Sequence, residues 1–434
     1  MNLRHFLPLL LAVLLIGCAP TTKDQTVKPF IPDEKVELAA LGSYPDYYYN
    51  LANELMNEGR DAQAIEAYLN CIKHSKRQSF IEDALFNASL LYFKMEENEK
   101  AYAFMDSLIS RKYTWLSWYK NADHPATSTA TYTQKLKQID SIISLKSDPN
   151  QVSFHYDDVR NFIAAFKKSE SNWSQAPHYF YTDYFAKASE GLFFYQKFKI
   201  QSSSHQFAYR VEDKKDYFKA ILSNLEQLSS TESSLKNYFI KFKALYPAAI
   251  FPDVYYLVGC FNAGGTSSPA GLLIGAEMHS KPENASLTNF NNWEKTVLRD
   301  QENLPLIIMH ELVHIQQHSN YDTLLGNAIY EGAADFISQL ICGSHINTHV
   351  HAWANEREAA VWEAFKKEMY GKNSWNWIGN ANSAKDKPAD LGYYVGYKIC
   401  EAYYAKQSDK TQAIADILSI TNWEEFYEKS GYMQ

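Results

Sequence analysis

The chain has 434 residues, 46% of them apolar and 21% charged, so it can bury packed cores and is not wholly disordered. With 42 Lys+Arg against 50 Asp+Glu its net charge is -8, which excludes nucleic acid as a partner, because phosphates are bound by basic faces that displace counterions. At roughly 150 residues per domain the length allows two or three domains, and the 31 tyrosines read first as large amphipathic residues packing helices.

Met1-Asn2-Leu3-Arg4-His5 is a positively charged start, and Phe6 to Ile16 is an apolar run. Crossing a bilayer core of about 30 Å takes about 20 residues. The run is shorter than that and has the length of a signal-peptide apolar region. It leads into Leu15-Ile16-Gly17-Cys18 and then Ala19-Pro20. This pattern resembles the lipobox of bacterial lipoproteins. The resemblance implies a signal peptide over residues 1–18, acylation of Cys18, and a mature chain held at the membrane by several acyl chains. Each buried CH₂ contributes about 0.8 kcal/mol, so several chains hold where one does not. The nonacidic Ala19 resembles proteins sent to the outer membrane, on its periplasmic or surface face. Residues 19–42 are polar and read as a flexible tether. No later stretch is apolar over 18 residues, so no other membrane span is expected. Cys71, Cys260, Cys342 and Cys400 are far apart, which leaves open three disulfide pairings or buried free thiols.

Residues 44–112 read as two helical hairpins. Gly59, Ala64 and Tyr68 of the first correspond to Glu96, Ala101 and Met105 of the second, an offset of 37 residues. The small residues allow close helix crossing. The pattern resembles tetratricopeptide repeats, whose period is about 34, although Glu96 stands where a turn glycine is usual. The resemblance implies a groove for a protein partner or a spacer; a plain helical buttress is the alternative. Residues 113–152 form a connecting region with a helical stretch around Leu136–Leu145 and a boundary at Asp148-Pro149-Asn150. Several helices follow up to residue 246, among them Asp157–Lys168 and Asp216–Leu228. Val254–Phe261 is β-branched and aromatic and reads as a strand. Asn262–Pro269 reads as a loop, and Gly271–Ala276 as a second strand. Helical periodicity then runs to the C-terminus, giving a mainly α fold with a small β-sheet (α+β).

In Leu304–Gln317 the run His310-Glu311-Leu312-Val313-His314 carries the chemistry. Pro305 sits in a first helical turn, where a missing N–H costs nothing. His310 and His314 are four apart, so a helix puts both imidazoles on one face, a geometry suited to two ligands of a tetrahedral Zn²⁺. Glu311 is rotated about 100° from His310, where a general base for metal-bound water would stand. With 13 His in 434 residues, such a motif arises by chance under about 0.05 times per chain. Leu324–Ile337 reads as an amphipathic helix ending near Gly343. On it Glu331 is placed as a third ligand, with Asp335 one turn on to accept from a ligating imidazole.

His310-Glu311-x-x-His314 followed by Glu331-x-x-x-Asp335 resembles the gluzincin metallopeptidases. The wording also is similar to predicted zinc-dependent proteases among bacterial lipoproteins, a group that includes relatives of gliding-motility lipoproteins. The similarity covers about residues 153–434, with a shorter spacer before Glu331 than in thermolysin-like enzymes. It implies Zn²⁺ held by His310, His314 and Glu331, with Asp335 orienting His310 and Glu311 as base and proton shuttle on a peptide or protein substrate. Gly392-Tyr393-Tyr394-Val395-Gly396 resembles the Tyr-x-x-Gly segment of aminopeptidase-type gluzincins, whose tyrosine supports the oxyanion. That role maps to Tyr393, with Tyr394 as fallback; a packing helix with small faces at Gly392 and Gly396 is the alternative. Gly275 and Glu277 are similar to their substrate-binding edge strand, so Glu277 is expected to meet a peptide amine. His345, His349 and His351 read as solvent-exposed loop histidines or an alternative proton donor. No G-x-S-x-G, P-loop or dinucleotide fingerprint is present. The expectation is therefore a membrane-anchored zinc metallopeptidase. The alternative is a non-catalytic envelope lipoprotein that binds protein partners through its repeats, with a structural or vestigial zinc site.

Overall fold

A computed structural model describes residues 43–75, 77–113, 119, 124–317, 321–381, 383–384 and 386–433, with the backbone alone at 43–46. The expected signal peptide, Cys18 and the tether lie outside these residues. Among the described residues the fold is mainly α with one four-stranded sheet. No described helix is long and apolar enough to cross a membrane. The chain forms two compact units that are not successive segments. One takes in the described residues within Met1–Tyr113, Ala122–Leu136 and Asp157–Asp213, and the other those within Thr114–Asn121, Lys137–Tyr156 and Lys214–Gln434.

In the first unit four helices make two hairpins: α1 (Ser43–Asn57), α2 (Asp61–His74), α3 (Gln78–Lys94) and α4 (Asn98–Ser110). Ala52, Ala64 and Ala101 are fully buried where helices cross, as are Tyr68 and Met105. Both hairpins turn alike. The Arg60 amide donates to Leu55 O at 2.8 Å and the Glu97 amide to Tyr92 O at 2.9 Å, and each bond closes a helix end. The residue between must be left-handed. Gly59 takes φ +75° and Glu96 takes φ +61°, a conformation that costs an L-residue roughly 1–2 kcal/mol. The second copy thus keeps the turn without the glycine. Aromatic packing supplies much of the remaining core. Phe162 of α5 (Asp157–Ser169) stacks on Phe180 with centroids 5.7 Å apart, and the Arg77 guanidinium covers Phe193 at 4.4 Å.

In the second unit the strands β1 (Phe154–His155), β2 (Val254–Leu257), β3 (Gly265–Ser268) and β4 (Gly271–Gly275) lie in the order β1-β2-β4-β3. β1, β2 and β4 are parallel, and β3 returns antiparallel on β4. All five residues of β4 are buried. Two sequence expectations need correction here. Val254–Phe261 is strand only to Leu257, because the Phe261 amide turns away to donate to Glu277 Oε1 at 3.0 Å, with Phe261 at φ +61°. The Gly- and Ser-rich stretch read as a loop contains β3: turn-forming residues there serve close approach instead of a bend. Gly271 sits at φ +144° with a Cβ position only 2.3 Å from Asp253 O, so the turn from β3 into β4 admits no side chain.

Helices surround this sheet within the unit: α6 (Lys215–Glu226), α7 (Glu232–Leu245), α8 (Leu304–Gln316), α9 (Leu324–Cys342) and α10 (Leu391–Lys406). In α8, Ile308, Met309, Leu312 and Val313 are fully buried, and each such side chain contributes about 1.5–3 kcal/mol. α9 starts at Thr323, whose hydroxyl accepts the Gly326 amide, and stops at Gly343 with φ +78°. Gly332 of α9 and Gly396 of α10 let the two backbones touch. A Cβ on Gly396 would stand 1.7 Å from Ala328 O, and one on Gly332 would stand 2.1 Å from the Tyr397 amide nitrogen. Among the described residues Cys71, Cys260, Cys342 and Cys400 are thiols that form no disulfide, which decides between the two readings.

Candidate metal centre

α8 carries His310 and His314 on one face, and α9 brings Glu331 to them. His310 Nε2 and His314 Nε2 are 3.1 Å apart, and each lies 3.4 Å from Glu331 Oε2. Four ligands on Zn²⁺ at about 2.0–2.1 Å form a tetrahedron with edges of about 3.3 Å. The triangle therefore has the size of one tetrahedral face, and the two-nitrogen, one-carboxylate donor set suits zinc. Among the described residues these three make the one group of His, Cys, Asp or Glu that converges in this way.

Each imidazole is held from behind. His310 Nδ1 donates to Asp335 Oδ1 at 3.0 Å, and Asp335, fully buried, also accepts from Asn347 Nδ2 at 2.8 Å. His314 Nδ1 lies 2.6 Å from Gln317 Oε1, and Gln317 Nε2 donates to Tyr330 O at 2.8 Å. The Tyr330 ring stacks on His314 with centroids 4.8 Å apart and 8° between planes. Burial works against the charged form of Glu331 and of Asp335. The imidazoles outweigh it and hold both carboxyls well below the usual carboxylate range. Burial likewise lowers His310, but Asp335 and Glu331 prevail and push it up to about 10. A cation, whether a proton or a metal ion, is what this cluster of carboxylates and ring nitrogens favours.

The other expected residues fall as follows. Tyr393 is brought to the centre: its ring stacks on that of His310 with centroids 6.0 Å apart, and its phenol feels the Glu331 charge. Burial, then the Glu331 charge, raise this phenol well above its ordinary value. Tyr394 points elsewhere, against His351. Gly392 and Gly396 do pack closely, Gly392 against Ile378. Glu311 lies beside β3, where a Cβ on Gly265 would stand 2.6 Å from Glu311 Cγ. Gly275 and Glu277 are not at an edge. β4 lies between β2 and β3, and Glu277 is fully buried, its carboxyl pushed up to about 7 by that burial. The expectation that Glu277 meets a peptide amine is corrected on that ground. The histidine cluster is also corrected in part. His349 is exposed, but His345 is buried with Nδ1 3.5 Å from Asp335 Oδ2, and His351 packs on Tyr397 at 4.5 Å.

Sequence reasoning missed Gln317, Asn347 and Gly265 as neighbours of the centre, and had His345 only as a loop histidine or an alternative proton donor. Gln317 ends the motif-bearing helix three residues after His314 and carried a usable signal. The other three are brought in by tertiary packing alone.

Comparison with known families settles the kinship. The family described as gliding motility protein GldB matches residues 143–434. The chain belongs to that family. No curated protein and no solved structure matches it. The GldB match makes the chain a gliding-motility-type lipoprotein of the cell envelope, as the N-terminal reading expects in outline. It also overturns the metallopeptidase reading: the family that matches is one of gliding motility lipoproteins, not of proteases. The His-Glu-x-x-His spacing describes how α8 presents two imidazoles; it does not establish peptide hydrolysis.

Proposed function

We propose that this chain is a lipid-anchored part of the gliding machinery that acts by binding rather than by hydrolysis, with a structural zinc ion at His310, His314 and Glu331. In this reading acylated Cys18 holds it at the outer membrane, and the α1–α4 hairpins engage a protein partner. The observation that carries it is the triangle of three ligand atoms, of tetrahedral size, within a chain of the GldB family. Zinc, when bound, would supply a Lewis-acid cross-link between α8 and α9. The chain's own residues do the rest: Asp335 and Gln317 hold the rings, Tyr393 stacks on His310, and Glu311 fills the space under Gly265.

The test is genetic. Deleting the chromosomal copy is expected to abolish surface gliding, and Glu311→Gln in trans to restore it, whereas Cys18→Ala should not. A folded, zinc-loaded Glu311→Gln chain that fails to restore movement overturns the non-hydrolytic reading.

A further inference from the structure

The two imidazoles are held by unlike partners, and the hydrogen bonds decide the orientation of one of them. Tyr330 O is a backbone carbonyl and can only accept, so the Gln317 group facing it at 2.8 Å must be the amide NH₂. The Gln317 carbonyl oxygen then faces His314 Nδ1 at 2.6 Å. An amide oxygen can only accept, so Nδ1 must carry the ring proton. In the neutral ring that binds a metal, Nε2 is then the lone-pair nitrogen, on the side where His310 Nε2 lies at 3.1 Å and Glu331 Oε2 at 3.4 Å. Gln317 is buried and spans the end of α8 and the residue before Glu331, so one side chain ties two ligands together.

The geometry points to Gln317 as a positioning residue that sets the tautomer of His314 and ties its ring to the backbone next to Glu331. The role needs a neutral amide. A carboxylate at 317 would keep an acceptor for Nδ1–H, but would face the Tyr330 carbonyl with a second acceptor and add a negative charge beside Glu331. An apolar side chain would lose both bonds. This inference rests on the metal-centre reading above.

The experiment uses the full chain solubilised in detergent, with zinc as the probe, its affinity measured by chelator competition. Gln317→Leu is expected to weaken zinc binding about 10–100-fold, the usual effect of losing a partner behind a ligating histidine, and Gln317→Glu to fall between it and the parent. In the zinc-bound parent, ¹⁵N spectra of labelled histidine are expected to show His314 protonated at Nδ1; the leucine variant loses that slowly exchanging proton. Gln317→Leu binding zinc within threefold of the parent overturns the inference. So does a parent with His314 metallated at Nδ1, which decides the matter even if the leucine variant does not fold. A parent that takes up no zinc overturns the metal-centre reading itself.

Discussion

The α1–α4 hairpins and the α8–α9 pair are both consecutive helices packed through small and apolar residues, yet they bury different things. The hairpins bury Ala64, Tyr68, Ala101 and Met105, and their deep polar contacts, Tyr68 hydroxyl to Asn53 at 2.6 Å, Tyr49 hydroxyl to Asp83 and Ser89 hydroxyl to the Phe86 carbonyl at 2.8 Å, each give a hydroxyl an acceptor within the hairpins themselves. The α8–α9 pair buries His310, Asp335 and Gln317 and partly buries His314 and Glu331. Apolar pairs stabilise themselves by leaving water, whereas buried charged groups cost free energy unless paired. The second pair is therefore conditional on what occupies its centre, and the first is not.

Metal removal breaks the comparison hardest. With free zinc a thousandfold above its Kd, binding adds about 4 kcal/mol to stability. A chelator should therefore lower the Tm of the second unit's unfolding, and His310→Ala should remove the response; the first unit should melt unchanged. Gly396→Ala comes next. Its Cβ would meet Ala328 O at 1.7 Å, so α10 must shift, at a cost of about 3 kcal/mol by calorimetry. The third concerns Glu277. Its carboxyl titrates near 7 when folded, against an ordinary 4.5, so the folded state keeps a proton that the unfolded chain releases. Stability then falls as pH rises from about 4.5 to 7. Glu277→Gln has no such loss, and should match the parent near pH 4 but exceed it at pH 8 by on the order of 3 kcal/mol. The smallest effect lies in the hairpins: Glu96→Gly relieves the left-handed glutamate and should stabilise by up to about 1 kcal/mol, while Gly59→Ala should destabilise by a similar amount.

Much of this was legible where chemistry is local. Gly343 marks the end of α9, and the 37-residue offset places the turns at Gly59 and Glu96 in matching bonds. The spacing of His310, His314 and Glu331 announced a shared centre. Legibility failed where a residue's role depends on what packs against it. Gly264 and Gly265 read as loop because a sequence does not show His279 and Glu311 pressing on them. His345 read as an exposed loop residue or a proton donor because Asp335 comes to it from another element, and Glu277 read as a residue that meets a peptide amine, whereas its partner is the turned amide of Phe261. The motif revealed where an ion could sit; it did not reveal whether that ion does chemistry, and there the family match corrected the reading.

Metal content of the purified full chain tests the central claim most directly. The account predicts one zinc per chain in the parent and in Glu311→Gln, and none in His310→Ala or Glu331→Ala. A parent that is isolated and stays zinc-free when dialysed against the ion, with an unchanged Tm, would contradict it.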